Sequence, residues 1–253
     1  MIDQKRPKTR SALVSGAGAP GGIGIAIAKT LKELGAEVFI TSTTERIHDR
    51  ASEIGVTGLV ADLTSESDCA RVIEAVGTLD ILVNNAGMAS VNSPLGADEA
   101  SDLTNVTSEA WQRGMQRNVD TAFNLTKAAL PLLRKSKSGR IIMVSSVTGG
   151  LMAMADQPVY AAAKAAMIGL MRSIALDEAK YGVTCNAVLP GWIETDTQGA
   201  HEKLQGLKTP LGRSGKPEEI AGLVGWLAST SSGYMTGQAL VVDGGNSIRE
   251  ERA

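Results

Sequence analysis

Short apolar runs recur along the chain at 11–15, 36–41, 56–61, 79–83, 140–145, 183–189 and 239–243. Between them lie segments with helical periodicity, near 22–34, 44–54, 65–77, 108–135, 160–181 and 217–229. Strand and helix patterns that alternate in this way predict parallel strands joined by right-handed crossovers. The expected fold is therefore α/β, a doubly wound parallel sheet. No composition shift, linker, internal repeat or low-complexity tract interrupts the alternation. The expectation is one domain over 11–253, preceded by a tail over 1–10.

Composition narrows the function classes. A chain of 253 residues with 43% hydrophobic content is long enough for one sizeable α/β core. A net charge of −2 and an aromatic content of 3% speak against a nucleic-acid surface, which needs basic patches and stacking platforms. The run Lys5-Arg6-Pro-Lys8-Thr-Arg10 is read as a solvated basic tail. No membrane-spanning apolar run and no signal peptide are expected. Cys69 and Cys185 lack metal-ligand spacing and fall in helical and strand patterns, so they are expected to be reduced core thiols in a cytoplasmic protein. His48 and His201 have no neighbours suggesting a metal or a nucleophilic triad, and no metal is expected.

Two segments carry chemistry. The first strand, Ser11 to Ser15, runs into Gly16-Ala-Gly18-Ala-Pro-Gly21-Gly22-Ile23-Gly24 and then a helical pattern. Strand, glycine loop and helix form the context in which a backbone can approach a dinucleotide pyrophosphate, with helix amides favouring its charge. The second is Tyr160-Ala-Ala-Ala-Lys164. Residues at i and i+4 share a helix face, and an ammonium near a phenol favours the phenolate. Such a pair suits the interconversion of an alcohol and a carbonyl.

With these segments, Asp62, Asn84-Asn-Ala-Gly87, Asn118, Ser145-Ser146, Pro190-Gly191 and Val241-Val-Asp-Gly-Gly245 follow in order. On them the chain resembles the single-domain short-chain dehydrogenase/reductase family, and within it the 3-oxoacyl-carrier-protein reductases. The resemblance spans Ser11 to Gly245 and implies a Rossmann-type sheet of about seven parallel strands in the order 3-2-1-4-5-6-7. It implies a catalytic tetrad of Asn118, Ser146, Tyr160 and Lys164. Tyr160 would be the general acid for carbonyl reduction or the base for alcohol oxidation. Lys164 would lower the Tyr160 pKa and hold the nicotinamide ribose. Ser146 would orient the substrate oxygen, with Ser145 competing for that role. Asn118 would stabilise a helix irregularity and position a water for proton relay to Lys164. The spacing from Ser146 to Tyr160 is about one residue longer than is common in the family.

For the cofactor, the resemblance implies contacts from Gly16, Gly22, Ile23 and Gly24, although Gly18 takes the first-glycine place when counted back from Gly24. Asp62 and Leu63 would face the adenine, and Asn85, Ala86 and Gly87 would line the adenosine ribose side. Tyr160, Lys164, Pro190, Gly191, the Ile193 backbone and the Thr195 hydroxyl would surround the nicotinamide. The second strand ends Ile40-Thr41-Ser42-Thr43-Thr44, without the acid that usually selects NAD. Thr43 and Arg46 would suit a 2′-phosphate, so NADPH is expected ahead of NADH.

The expected reaction is reduction of a small or cyclic ketone to a secondary alcohol. The alternatives are a 3-oxoacyl-carrier-protein reductase and an NAD-dependent alcohol or polyol dehydrogenase. Three departures favour the free ketone. The segment Met88 to Ser108 is long and carries Asp98, Glu99 and Asp102, which would repel an acidic carrier. Leu176 stands where carrier-dependent enzymes tend to hold a basic residue. The lid candidate Thr197 to Leu211 is short, with Trp192 and Met152 as an apolar wall. Helices 108–135 and 160–181 are rich in small residues, and the resemblance implies that they pair with their copies across a twofold axis in a homotetramer.

Overall fold

A computed structural model describes residues 9–87, 96, 98–136 and 138–250 of the chain. Seven strands form one sheet: β1 (Ser11–Ser15), β2 (Glu37–Ser42), β3 (Thr57–Val60), β4 (Ile81–Asn84), β5 (Arg140–Val144), β6 (Thr184–Pro190) and β7 (Ala239–Val242). All pairings are parallel and the order is β3-β2-β1-β4-β5-β6-β7, as the resemblance implies. The strand pleat sends alternate residues to opposite faces. Leu13, Phe39, Leu82, Ile141 and Met143 therefore enter one core. Ala12, Val14, Val38, Ile40, Ile81, Val83, Ile142 and Val144 enter the other.

Helices cover both faces. On one side lie α1 (Ile23–Glu33), α2 (Arg46–Ile54) and, later in the chain, Pro217–Ala228. The other side holds α3 (Glu66–Val76), followed by α4 (Ser108–Met115), α5 (Thr121–Lys135), the short turn α6 (Val147–Gly150) and α7 (Pro158–Glu178). Then come α8 (Ala200–Leu207) and α9 (Pro217–Ala228). Local signals set several ends. Ser65 accepts from the Asp68 amide to start α3, and Thr107 accepts from the Ala110 amide at 3.0 Å to start α4. Pro158 sits in the first turn of α7, so that helix begins two residues before Tyr160.

Four expectations change. The helical pattern 108–135 is not one α-helix, because Gln116–Asp120 widens into a π-helical turn between α4 and α5. The lid segment 197–211 contains α8. By length and composition, Pro158–Tyr181 is long and apolar enough to cross a membrane; here Ala163, Met167, Met171 and Ala175 are buried against the sheet instead. Arg10 is not solvated: its guanidinium donates to the Ser138 carbonyl at 2.8 Å and to the Ala228 carbonyl, tying β1 to the end of α9. The rest of the basic run, up to Lys8, lies outside the described residues, as do residues 88–95 of the long segment after β4. Cys69 and Cys185 are free, buried thiols.

Candidate active site

The carboxyl ends of β1, β4, β5 and β6 converge on one region, where ligands of doubly wound sheets bind. The chain turns tightly there because glycine permits it. Gly16 has φ +70°, and a Cβ on it would stand 2.7 Å from Ala86 Cα. Asn85 locks this crossing: its Nδ2 donates to the carbonyls of Ser15 at 3.1 Å and Gly16 at 3.0 Å. The Ser15 hydroxyl accepts from the amides of Asn85 and Ala86, at 3.0 and 3.1 Å. Below them, Asn84 Nδ2 donates to the Thr126 hydroxyl at 2.8 Å, joining β4 to α5.

Gly87 is the centre of the arrangement. Its φ of +153° is a conformation that side chains rarely adopt, and a Cβ there would meet Asn118 Oδ1 at 2.9 Å and Lys164 Nζ at 3.1 Å. Asn118 comes from the π turn, where its Nδ2 donates to the Gly114 carbonyl at 2.9 Å. Its Oδ1 is buried and has no hydrogen-bond partner among the described residues. An orphaned buried acceptor costs free energy unless a water or ligand donates to it. Lys164 Nζ donates to the Val144 carbonyl at 3.3 Å and lies 5.6 Å from the centre of the Tyr160 ring.

The two serines separate by role. Ser145 Oγ donates to the Lys164 main-chain carbonyl at 2.8 Å, anchoring α7 to β5. The Ser146 hydroxyl accepts from the Thr148 amide at 3.1 Å, capping α6, and stands near enough to Tyr160 to favour its phenolate. The long spacing from Ser146 to Tyr160 includes a turn in which Asp156, with φ 58°, takes the left-handed conformation that Asp tolerates.

Burial governs the protonation of Tyr160 and Lys164. Burial pushes the Tyr160 phenol above its ordinary value, against the pull of the Ser146 hydrogen bond, and Glu202 adds to the rise. Burial also pushes Lys164 down to about 8. For both groups desolvation is the largest cause of the shift.

The glycine loop suits a dinucleotide. No side chain caps the N-terminus of α1 and its first turn carries no acid, so the amides beyond Gly22 face outward as a phosphate requires. One donor is taken: the Gly21 amide bonds Asp196 Oδ2 at 2.6 Å. That contact spans 175 residues and leaves no trace in local spacing. Gly191 follows Pro190 closely against β7, where a Cβ would stand 2.7 Å from that of Asp243. Ile193 bridges to Gly215 with its side chain buried, and the Thr195 and Thr197 hydroxyls lie 3.2 Å apart. At the end of β2, Arg46 is exposed at the start of α2, with Thr43 nearby in sequence.

Asp62 and Leu63, expected at the adenine, differ in exposure. Leu63 does not present its side chain, which is buried in the core, and its carbonyl accepts from Asn124 at 3.2 Å. Asp62 is exposed and receives the Thr64 amide at 3.0 Å, feeding the start of α3. The acids after β4 are not free charges either. Asp98 pairs with Arg113 at 2.7 Å, Glu99 pairs with Arg117, and Asp102 accepts from Thr104 and Asn105.

Comparison with known proteins agrees with this geometry. The family model described as Enoyl-(Acyl carrier protein) reductase matches residues 16–247. The 3-oxoacyl-[acyl-carrier-protein] reductase FabG of Vibrio cholerae is 42% identical over 240 residues, covering 90% of this chain and 94% of that protein. Oxidoreductase UcpA of Salmonella typhimurium is 34% identical over 262 residues, covering 95% of each. Among solved structures, the ligand-free aldohexose dehydrogenase of Thermoplasma acidophilum superposes with a TM-score of 0.84 at 29% identity, covering 97% of this chain and 96% of that one. A short-chain dehydrogenase/reductase of Serratia marcescens, solved as a mutant, gives 0.83 at 31% identity, covering 94% and 98%.

Proposed function

The chain belongs to the short-chain dehydrogenase/reductase family of oxidoreductases, and from that premise we propose that it is an NADPH-dependent reductase converting a ketone to a secondary alcohol. The observation that carries this reading is the convergence of Asn118 Oδ1 and Lys164 Nζ on Gly87, with Ser146 near enough to Tyr160 to pull its pKa down.

The resting proton inventory suits reduction. A phenol raised by burial is protonated at neutral pH, the state needed to donate to a carbonyl oxygen in the reductive direction we propose. Ser146, next to the same phenol, would hold that oxygen in reach. Burial lowers the Lys164 pKa to about 8, so its ammonium, still the main form at pH 7, gives up a proton toward Tyr160 more readily than an ordinary lysine would. A water donating to the orphaned Asn118 Oδ1 would link Lys164 to solvent. The nicotinamide supplies the hydride when bound. Gly16, Gly22, Ile23 and Gly24 would hold its pyrophosphate. Asn85, Ala86, Gly87 and Asp62 would flank the adenosine half. Pro190, Gly191, Ile193 and Thr195 would cover the nicotinamide, with Lys164 on its ribose. Arg46 supplies the cation that favours a 2′-phosphate. Comparing kcat/KM for the two cofactors tests this; a preference for NADH overturns it.

For the substrate, a compact free ketone remains our first reading, in a cytoplasmic enzyme. Leu176 is 81% exposed and offers no cation to an acidic carrier. Arg134, on α5, is held by Glu178 of α7 through two bonds of 2.7 Å. A 3-oxoacyl thioester on a carrier protein is the second reading. It is favoured by the 42% identity to the Vibrio cholerae reductase and by the pairing of Asp98 and Glu99, which removes much of the expected repulsion. An NADPH-oxidation screen of cyclic ketones, β-keto esters and a β-ketoacyl thioester separates the two. A thioester preferred more than about tenfold in kcat/KM, about 1.4 kcal/mol in the transition state, selects the second.

A further inference from the structure

We infer that Glu99 is a positioning residue for the reduction: its buried ion pair with Arg117 fixes the π-helical turn that aims the Asn118 amide at Lys164. The inference rests on the role proposed above for Asn118.

Arg117 immediately precedes Asn118, and both lie in the π turn Gln116–Asp120. Glu99 is 3% exposed and Arg117 7%, so the pair is removed from water although Glu99 sits on the loop between β4 and α4. The carboxylate is held from several directions. Arg117 bonds one oxygen, the Gly96 amide donates to the other at 3.3 Å, and Arg113 Nε stands 3.6 Å away. Burial alone would raise the Glu99 carboxyl, but these bonds and charges hold it below its ordinary value, so it is ionised at neutral pH. Compared with apolar side chains of the same shape, a buried pair adds little net stability, whereas removing one partner strands a charge. What such a pair supplies here is register.

Register matters at this turn. A π turn leaves carbonyls outside the ordinary i to i−4 ladder. Two side chains of the turn reach those carbonyls: Asn118 Nδ2 donates to Gly114 and the Thr121 hydroxyl to Arg117, at 2.9 and 3.0 Å. Asn118 Nδ2 is thereby fixed, and its Oδ1 is left to point past Gly87 toward Lys164. Gly114 also packs directly on Val159, the neighbour of Tyr160. A carboxylate that clamps Arg117 from the loop side therefore sets the rotation of the turn and, with it, the direction of the orphaned acceptor.

The test is a double-mutant cycle of Glu99→Gln and Asn118→Ala, with kcat, KM, NADPH dissociation by fluorescence and melting temperature measured for each. Glu99→Gln should lower kcat about tenfold, a typical consequence of a small misplacement. NADPH affinity should stay within about twofold, and the alkaline limb of the kcat–pH profile should move as it does in Asn118→Ala. In the Asn118→Ala background, Glu99→Gln should cost less than about twofold, because the group it positions is gone. Equal losses in both backgrounds, or a Glu99→Gln enzyme with undiminished kcat, overturn the inference. Full activity in Asn118→Ala overturns the tetrad reading and this inference with it, a result distinct from additivity. Should Glu99→Gln fail to fold, Glu99→Gln/Arg117→Met, which strands no charge, takes its place in the cycle with the same expectation.

Discussion

Lys164 is 3% exposed, and among the described residues its ammonium hydrogen-bonds the Val144 carbonyl and the Met167 sulfur, 3.8 Å away. Folding therefore depresses its pKa from 10.5 to about 8. Below about pH 8 the amine is protonated in both folded and unfolded chains, and the fold carries the full cost of burying the charge. Between about 8 and 10.5 the folded chain has released the proton while the unfolded chain retains it, so stability rises with pH across that window. The shift corresponds to about 3 kcal/mol at neutral pH. Lys164→Met should therefore raise the urea midpoint at pH 7 while abolishing turnover, and its advantage over the parent should fade between about pH 8 and 10.5. A variant less stable than the parent at pH 7 would contradict a net cost of the buried ammonium.

At the scale of elements, the turn α6 shows how little slack separates Ser146 from Tyr160. Gly149 has φ +87°, and a Cβ there would run into the Ala161 carbonyl and stand 2.9 Å from the Ala165 amide. The backbone of α6 lies directly on that of α7, which brings the Ser146 hydroxyl to the phenol. Gly149→Ala should cost about 1–3 kcal/mol in denaturant unfolding and depress kcat, while NADPH affinity stays close to that of the parent. An unchanged unfolding midpoint would show that α6 can move away from α7. The seven strands were legible because continuous apolar runs and intervening helical periods leave little choice of element, and the Tyr160–Lys164 pair because i and i+4 fix one face. The π turn was invisible to periodicity: one extra residue per turn over Gln116–Asp120 is too small a phase change to register against α4 and α5. Glu99 with Arg117, and Gly21 with Asp196, join residues 18 and 175 positions apart, so only the closed fold reveals them. The direction of the Tyr160 shift escaped for a related reason. Sequence supplies the neighbouring Lys, but burial decides which way the phenol moves.

The whole molecule leaves a belt of large apolar side chains uncovered on the α4–α5 side. Leu103 is 70% exposed, Trp111 41% and Phe123 44%, and Leu103 and Trp111 line one shallow depression at the start of α4. Exposed apolar area of this kind, contributed by neighbouring elements, is the usual mark of an association surface. The same helices carry the π turn and border α7, so any partner bound there would press on the elements that hold Asn118 and Tyr160. Closed twofold symmetry would use this face isologously, each copy covering the Trp111 of the other. Light scattering at micromolar concentration should give a mass of four chains. Trp111→Lys combined with Phe123→Lys should lower that mass by placing like charges across the twofold axis, and kcat should fall together with the mass. A monomer mass for the parent protein would end the tetramer reading. A tetramer that survives both lysines would move the interface to another face of the fold.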